Sequence, residues 1–393
     1  MKRPIDIGRR NGRIRLPFCP RGLNALLPSE PRIARPELAE ALTLRCLTPA
    51  LAELEAFFLE LRAQVDPVLR AAAPVKNGKP YPLGQCLEIT LAIQAQLKVI
   101  DPGCLSPRAL HGYQALSRFL AARGTLRRVW GDLRGQYFQN ALLIGSLYVD
   151  VSNDTVVVTK PKVEILPFNA SGLHSIRDYD HFGEIAESYW QVSAWPNHLL
   201  PDLAPGFPML TVTREGGVAL QESGDYLMAL NWQQAFHPAE TYLARPPMPE
   251  AMFASIARQL RSGPHRLASD PFQGRRLALR TTREYRRKRW HQYAETRQRL
   301  MFAGQAVNRA LSRAQAARQS PAPVLAESLI RIEGSEHSLA RLSPEVLQQV
   351  QALQQIDAEI IRTRNLLAMM ETARHAYAQA LKGALPVAHP ACE

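Results

Sequence analysis

YPLGQC (residues 81–86) opens, and LYVDVSND (147–154) closes, the stretch whose reading decides the fold. Gly84 to about Ile100 carries Leu87, Ile89, Leu91, Ile93 and Leu97 and predicts a helix, which Asp101-Pro-Gly ends. A second helix is expected from about Pro107 to Ala122, stopping at Arg123-Gly124, where glycine would supply a left-handed cap. Leu126–Trp130, Tyr137–Ile144 and Leu147–Val151 then read as strands, and Gly145-Ser146 as a two-residue hairpin loop with glycine first. Val156–Val158 and Val163–Ile165 continue the β pattern. Two helices followed by antiparallel strands make an α+β fold, the helices packed on one face of the sheet.

Within that frame one thiol and one carboxylate can face each other across a helix–sheet interface. Cys86 stands just behind Gly84 at the head of a helix, where backbone dipoles favour the thiolate that a nucleophile requires. Asp150 sits in the third strand. Cys86 at a helix head, a second helix, and then RRVWG (127–131), YFQNALLIG (137–145) and LYVDVSND (147–154) resemble, in order, the transglutaminase-like branch of the papain-like thiol enzymes. The resemblance covers about Gly84 to Asp154, under a fifth of the chain. It implies acyl or amide transfer, or hydrolysis, through Cys86, with a histidine on one strand and Asp150 to orient it. Where the family has histidine this chain has Phe138-Gln139-Asn140, and the Gln139 amide takes no proton near neutral pH. His111 or His174 would have to bring an imidazole from elsewhere. The competing reading makes Cys86 a buried core thiol in a degenerate fold, since free cysteine is among the most buried residue types.

Outward from this stretch, residues 1–35 mix Arg, Pro and Gly without apolar periodicity and read as a mobile or draped basic N-terminus. Residues 36–75 carry apolar side chains at helical spacing (Leu38, Leu42, Leu44, then Leu51, Leu54, Phe57, Phe58, Leu61) and predict a helical unit. The α+β domain is placed at 76–250. Within 168–250, Glu184–Trp190 reads as a short helix, Met209–Thr213 and Val218–Leu220 as strands, and the remainder as irregular structure over the sheet. Residues 251–393 read as helical, with a long antiparallel, coiled-coil-like hairpin whose arms run about 275–319 and 343–383. Trp290, Tyr293, Leu300, Val307 and Leu311 would form the seam of the first arm.

Charge is concentrated in the same place. The formal net charge is +13, and thirteen of the 48 Arg and Lys lie between Arg275 and Arg318 against Glu284 and Glu295. Arg283, Arg286, Arg287, Lys288, Arg289 and Trp290 are therefore candidates for docking an acidic protein or nucleic acid, the cations on phosphates and Trp290 stacking on a base. His174, Asp178, Asp180, His181 and Glu184 cluster in sequence, but a polar loop accounts for them better than a cation site. No P-loop, Rossmann fingerprint, HExxH or GxSxG is present, and no cofactor or metal is expected. Five scattered cysteines without CxxC spacing fit reduced thiols in a cytoplasmic protein. No apolar run approaches the ~20 residues of a membrane span. The basic N-terminus lacks the apolar core of a Sec signal, leaving export by another route open.

Overall fold

The computed structural model describes residues 26–76, 78–221, 224–260, 265–319, 329–332 and 335–338, with the isolated positions 346 and 349. The chain divides into two units, residues 1–317 and 318–393. In the second, β11 (Leu329–Ile332) pairs antiparallel with β12 (Ser335–Ser338).

The first unit begins with α1 (Pro36–Cys46) and α2 (Leu51–Ala72). A minimal hairpin, β1 (Val75–Lys76) and β2 (Lys79–Pro80), leads to α3 (Cys86–Gln96) and α4 (Pro107–Ala121). Ser106 caps α4 by accepting from the Ala109 N–H at 3.3 Å, and Pro107 occupies the first helical position. Leu54, Phe57, Phe58, Leu61 and Val65 recur on one face of α2 and are buried with Ile89, Ile93, Leu116 and Phe119. Residues 36–75 thus share one core with α3 and α4 rather than forming a unit of their own. Two predicted details change. α3 stops at Gln96, and the left-handed residue after α4 is Arg123 (φ +64°), not Gly124. Gly124 is required for space, because a Cβ there would lie 2.4 Å from the Phe119 ring.

Strands β3 (Leu126–Leu133), β4 (Tyr137–Ile144), β5 (Leu147–Asp150), β6 (Glu164–Pro167) and β7 (Leu173–His174) form one antiparallel sheet in the order β6-β5-β4-β3-β7. Val156–Val158, expected to extend the β pattern, form turns instead. Ile144 pairs with Leu147 across the Gly145-Ser146 loop, with Gly145 at φ +62°. Short helix α5 (Phe168–Ser171) and Gly172 are all that join the two edges, β6 and β7. Four spacings in a flat sheet span ~19 Å, whereas a five-residue, mostly helical link advances only ~8 Å. The sheet must therefore curl. Arg134, just past β3, closes the curl by donating to Glu164 of β6 at 2.8 Å and to the Ser171 carbonyl at 3.0 Å. Inside it pack Val129, Leu133, Tyr137, Ala141, Leu143, Tyr148 and Leu173. Leu142, Ile144, Leu147 and Val149 point outward, beneath α2, α3 and α4. Residues 29–32 lie along β3, where Ser29 O accepts from Trp130 N and the carbonyls of Glu30 and Arg32 accept from Arg127.

Residues 168–250 are more regular than the sequence implied. Helix α6 (Tyr179–Trp190) packs on the outer face of the sheet. Strands β8 (Val192–Pro196), β9 (Met209–Thr213) and β10 (Val218–Leu220) make a second antiparallel sheet, followed by α7 (Gly224–Gln233), α8 (His237–Leu243) and α9 (Glu250–Leu260). The aromatic-rich order of this region, which lacks long apolar repeats, comes from tertiary packing around Phe207, Trp232 and Phe236.

The first hairpin arm is two helices, α10 (Pro271–Arg287) and α11 (Ala294–Gln319). They are separated by Arg289 in the left-handed conformation (φ +54°) and a 3₁₀ turn at Trp290–Gln292. The apolar residues taken for a seam, Leu300, Val307 and Leu311, are buried against Phe207, Leu210 and Leu220. They serve the core of this unit. The second arm, about 343–383, lies outside the described residues apart from positions 346 and 349. No helix among the described residues is long and apolar enough to cross a membrane.

A buried ion-pair network holds the helical layer to the sheet. Arg62 of α2 is fully buried and donates to Asp66 at 2.8 Å, to Asp154 at 2.9 Å and to the Val151 carbonyl. The Tyr81 hydroxyl donates to Asp66 at 2.7 Å and Lys162 completes the set. Replacing Arg62 alone strands the buried Asp154 carboxylate and leaves Asp66 with Lys162 and Tyr81 only. Arg62→Met is expected to lower stability by about 3–5 kcal/mol, read as a shifted urea midpoint, whereas an unchanged midpoint would mean the network contributes nothing.

Candidate functional site

Cys86 is the first residue of α3, and the helix start is tied to the loop after β5 by a bond from Gly84 N to the Thr155 carbonyl at 2.9 Å. The sequence reading required Cys86 to look across at Gln139 and Asp150. Instead, the sulfur accepts from the side-chain amide of Asn140 at 3.6 Å, and Thr90 of α3 reaches the Asn140 carbonyl. Asn140 and Gln139 are consecutive in β4, so their side chains leave opposite faces of the sheet. Asn140 belongs to the outer face under α3, and Gln139 to the interior of the curl.

Asp150 lies in that interior with Gln139. Its carboxylate accepts from Gln139 Nε2 at 2.7 Å, Tyr148 Oη at 2.8 Å, Ser152 N at 2.8 Å and Ser152 Oγ at 3.1 Å. Tyr148, on the same face, packs among Val129, Ala141 and Leu143. The three residues named as a catalytic set are therefore divided by the sheet. Gln139 and Asp150 form a closed structural cluster, and Cys86 is separated from it. Full burial pushes the Asp150 carboxyl up to about 6 despite these donors.

No imidazole among the described residues hydrogen-bonds the Cys86 sulfur. Neither His111 nor His174, the two candidate replacements, makes a hydrogen bond to it. Burial raises the thiol's pKa, opposed by the Asn140 bonds and reinforced by the negative charges of Asp150 across the sheet and of Glu88. The half-buried Cys86 is held as a thiol. What the sequence reading missed is the pair on the outer face, Asn140 and Arg128. The Arg128 guanidinium donates to Asn140 Oδ1 at 2.9 Å and fixes the amide so that its NH₂ points at sulfur. The alternation of Phe138-Gln139-Asn140 was the available signal, because only one parity can meet a helix on a given face.

The histidine-rich stretch does not converge. Asp178 caps α6 by accepting from His181 N at 2.8 Å, and Asp180 pairs with Arg245 at 3.1 Å. His181 uses both ring nitrogens: Nδ1 accepts from Arg177 N at 3.2 Å, so Nε2 donates to Asp132 at 3.2 Å. His174 and Glu184 are exposed. Among the described residues no group of three His, Cys, Asp or Glu is placed to hold a metal ion.

The basic segment sorts into two classes. Arg283 and Arg286 are both bound to Glu240, the former at 2.6 Å. Lys288 pairs with Glu284 at 2.5 Å and lies 4.8 Å from the centre of the Trp290 ring. Arg299 also approaches that ring, and Tyr285 packs edge-on against it, so the half-buried Trp290 is engaged within the fold. Arg287 and Arg289 are exposed without an ion-pair partner among the described residues, as are Arg276 and Arg280, which the sequence reading passed over. Positions 272, 276, 280, 283 and 287 share the outward face of α10, while Gly274, Ala278, Thr282 and Tyr285 face inward.

Two outcomes follow. Iodoacetamide should label exposed Cys104 well before Cys86 at neutral pH, as read by peptide mass spectrometry; faster labelling of Cys86 would reveal an activated thiolate. Asp150, whose folded pKa exceeds its ordinary 3.8, binds its proton more tightly folded than unfolded. Its contribution is largest below that ordinary value and decays as pH rises towards 6. Buried His198, pushed down to about 4 while its Nε2 donates to the Leu243 carbonyl, acts in the opposite direction over much of this range. The Asp150 effect must therefore be read as the stability of wild type minus Asp150→Asn. This difference should fall by about 2 kcal/mol from pH 4 to pH 7, whereas a flat difference would place the carboxyl in a solvated site.

No family model matches the chain, and neither a curated protein nor a solved structure matches it.

Proposed function

We propose that this protein is a non-catalytic scaffold that docks a polyanionic partner, an acidic protein or a nucleic acid, through the outward arginine face of α10. The reading rests on one observation: Arg276, Arg280 and Arg287 line one face of that helix and form no salt bridge among the described residues, only longer-range attraction to Asp270 and Glu284. Arg276 and Arg280 are four residues apart and Arg287 lies seven further on, so the three advance by ~6 Å and then ~10 Å along one face of the helix. Guanidinium forks suit phosphate and carboxylate oxygens alike. Trp290 is held beneath Lys288 and Arg299, which favours recognition by charge over base stacking. The free thiols Cys46, Cys86 and Cys104 are in keeping with a reducing compartment such as the cytoplasm. Acyl or amide transfer through Cys86 has less support, because the sulfur faces an amide in place of a proton acceptor.

The test is fluorescence anisotropy of the full chain with a labelled DNA duplex and with labelled polyglutamate across a salt series. Binding of one or both should weaken steeply with salt. Replacing Arg276, Arg280 and Arg287 together by Gln should cost at least about tenfold in affinity and flatten the DNA salt slope by roughly 2–3. Affinity and slope unchanged by the triple substitution would leave this face merely solvated.

A further inference from the structure

The outer face of the curled sheet is not fully covered. Between α3 and α6 a cavity of about 410 Å³ opens, with Arg128, Trp130 and Asn140 as its floor. Its chemistry is uneven. Leu87 and Leu91 of α3 are 37% and 47% exposed, and Trp190 at the end of α6 is 43% exposed, although all three are large and apolar. Trp190 is braced by Phe138 at 4.8 Å and meets Phe182 edge-on, while Trp130 stacks on Phe138 at 5.2 Å. This is a rigid aromatic wall whose accessible portion no element among the described residues covers.

At the foot of that wall stands one cation whose partner is neutral. Arg128 is half-buried and donates a single side-chain hydrogen bond, to the uncharged Asn140. A guanidinium has five N–H donors and stays protonated in proteins, so most of its capacity is unused in a site already partly removed from water. Asp225, on the cavity rim, is engaged by Arg297 at 3.5 Å and is mostly exposed; its charge also acts on Arg128 through space, but without a salt bridge and from a position where water screens it. Charge complementarity thus asks for an anion with two adjacent oxygens, and the wall asks for a flat apolar body next to it. The volume falls within the ~300–1,000 Å³ of small-molecule sites and near its lower end, which suits one compact molecule better than a length of polymer.

We propose that the cleft between α3 and α6 binds a small carboxylate with a flat apolar body, its carboxylate forked by Arg128 and its ring laid against Trp190 and Trp130. Asn140 is a positioning residue, holding the guanidinium from behind. This site is separate from the arginine face of α10, and either can stand without the other.

Tryptophan fluorescence reads the site directly, with 2-naphthoate and its neutral analogue 2-naphthamide as probes of the full chain. The acid should quench saturably and bind about tenfold or more tightly than the amide. Arg128→Gln should remove that preference by weakening the acid to the level of the amide while leaving the amide unchanged, a split that simple loss of structure would not produce. Should Arg128→Gln fail to fold, Arg128→Lys, which keeps the charge and loses the fork, should weaken the acid alone. Trp190→Ala, at an exposed position, should weaken both probes. Equal binding of acid and amide in the wild type, equal losses of both in the arginine variants, or no saturable quenching would each overturn the proposal. So would saturation by an acidic peptide but not by 2-naphthoate.

Discussion

Gln139 and Asn140 are neighbours on the central strand of a curled sheet and cannot face the same way. Pleating sends one amide inward and the other outward, and most of what distinguishes the site follows from this. The inward amide joins Asp150, Tyr148 and Ser152 in a cluster that is closed to solvent. The outward amide meets the Cys86 sulfur and is gripped by Arg128. A helix-tip cysteine becomes a nucleophile when a base and an orienting group share its side of the sheet. Here the carboxylate is on the other side, and the space beside the thiol is occupied by an amide and a guanidinium.

The curl makes the separation firm. With β6 and the end of β3 joined through Arg134, the interior is a packed compartment in which Asp150 anchors the end of β5. The buried Arg62 network then fixes the loop after β5 to α2, and that loop in turn holds the start of α3 through Gly84. Cys86 is thus positioned accurately by elements that give it no proton acceptor. The same outer face, left open between α3 and α6, presents Arg128 and an aromatic wall to solvent.

Much of the α+β layer was legible in the sequence. Local signals sufficed for β4, for the Gly145 hairpin and for the span of α4, because periodicity and turn chemistry act over a few residues. The facing of Gln139 was legible in principle and was missed because Phe138-Gln139-Asn140 was read as a block instead of by parity. The curl was not legible: it depends on Arg134 reaching Glu164, thirty positions away. Nor was the break at Arg289, since no proline or glycine marks it, and a run of helix-forming residues there yields to the packing of Tyr285, Trp290 and Leu300. The exposed arginines Arg276 and Arg280 look like Arg283 and Arg286 in sequence. Only the position of Glu240 separates paired from unpaired.

The facing of β4 can be measured without reference to activity. In a background where Cys86 is the one native cysteine retained, Gln139→Cys and Asn140→Cys can each be treated with dibromobimane, which fluoresces strongly only when it has joined two nearby thiols. Asn140→Cys should form the fluorescent bridge to Cys86, and Gln139→Cys should not. A bridge from position 139 and none from 140 would place Gln139 beside the sulfur and contradict the account at its root.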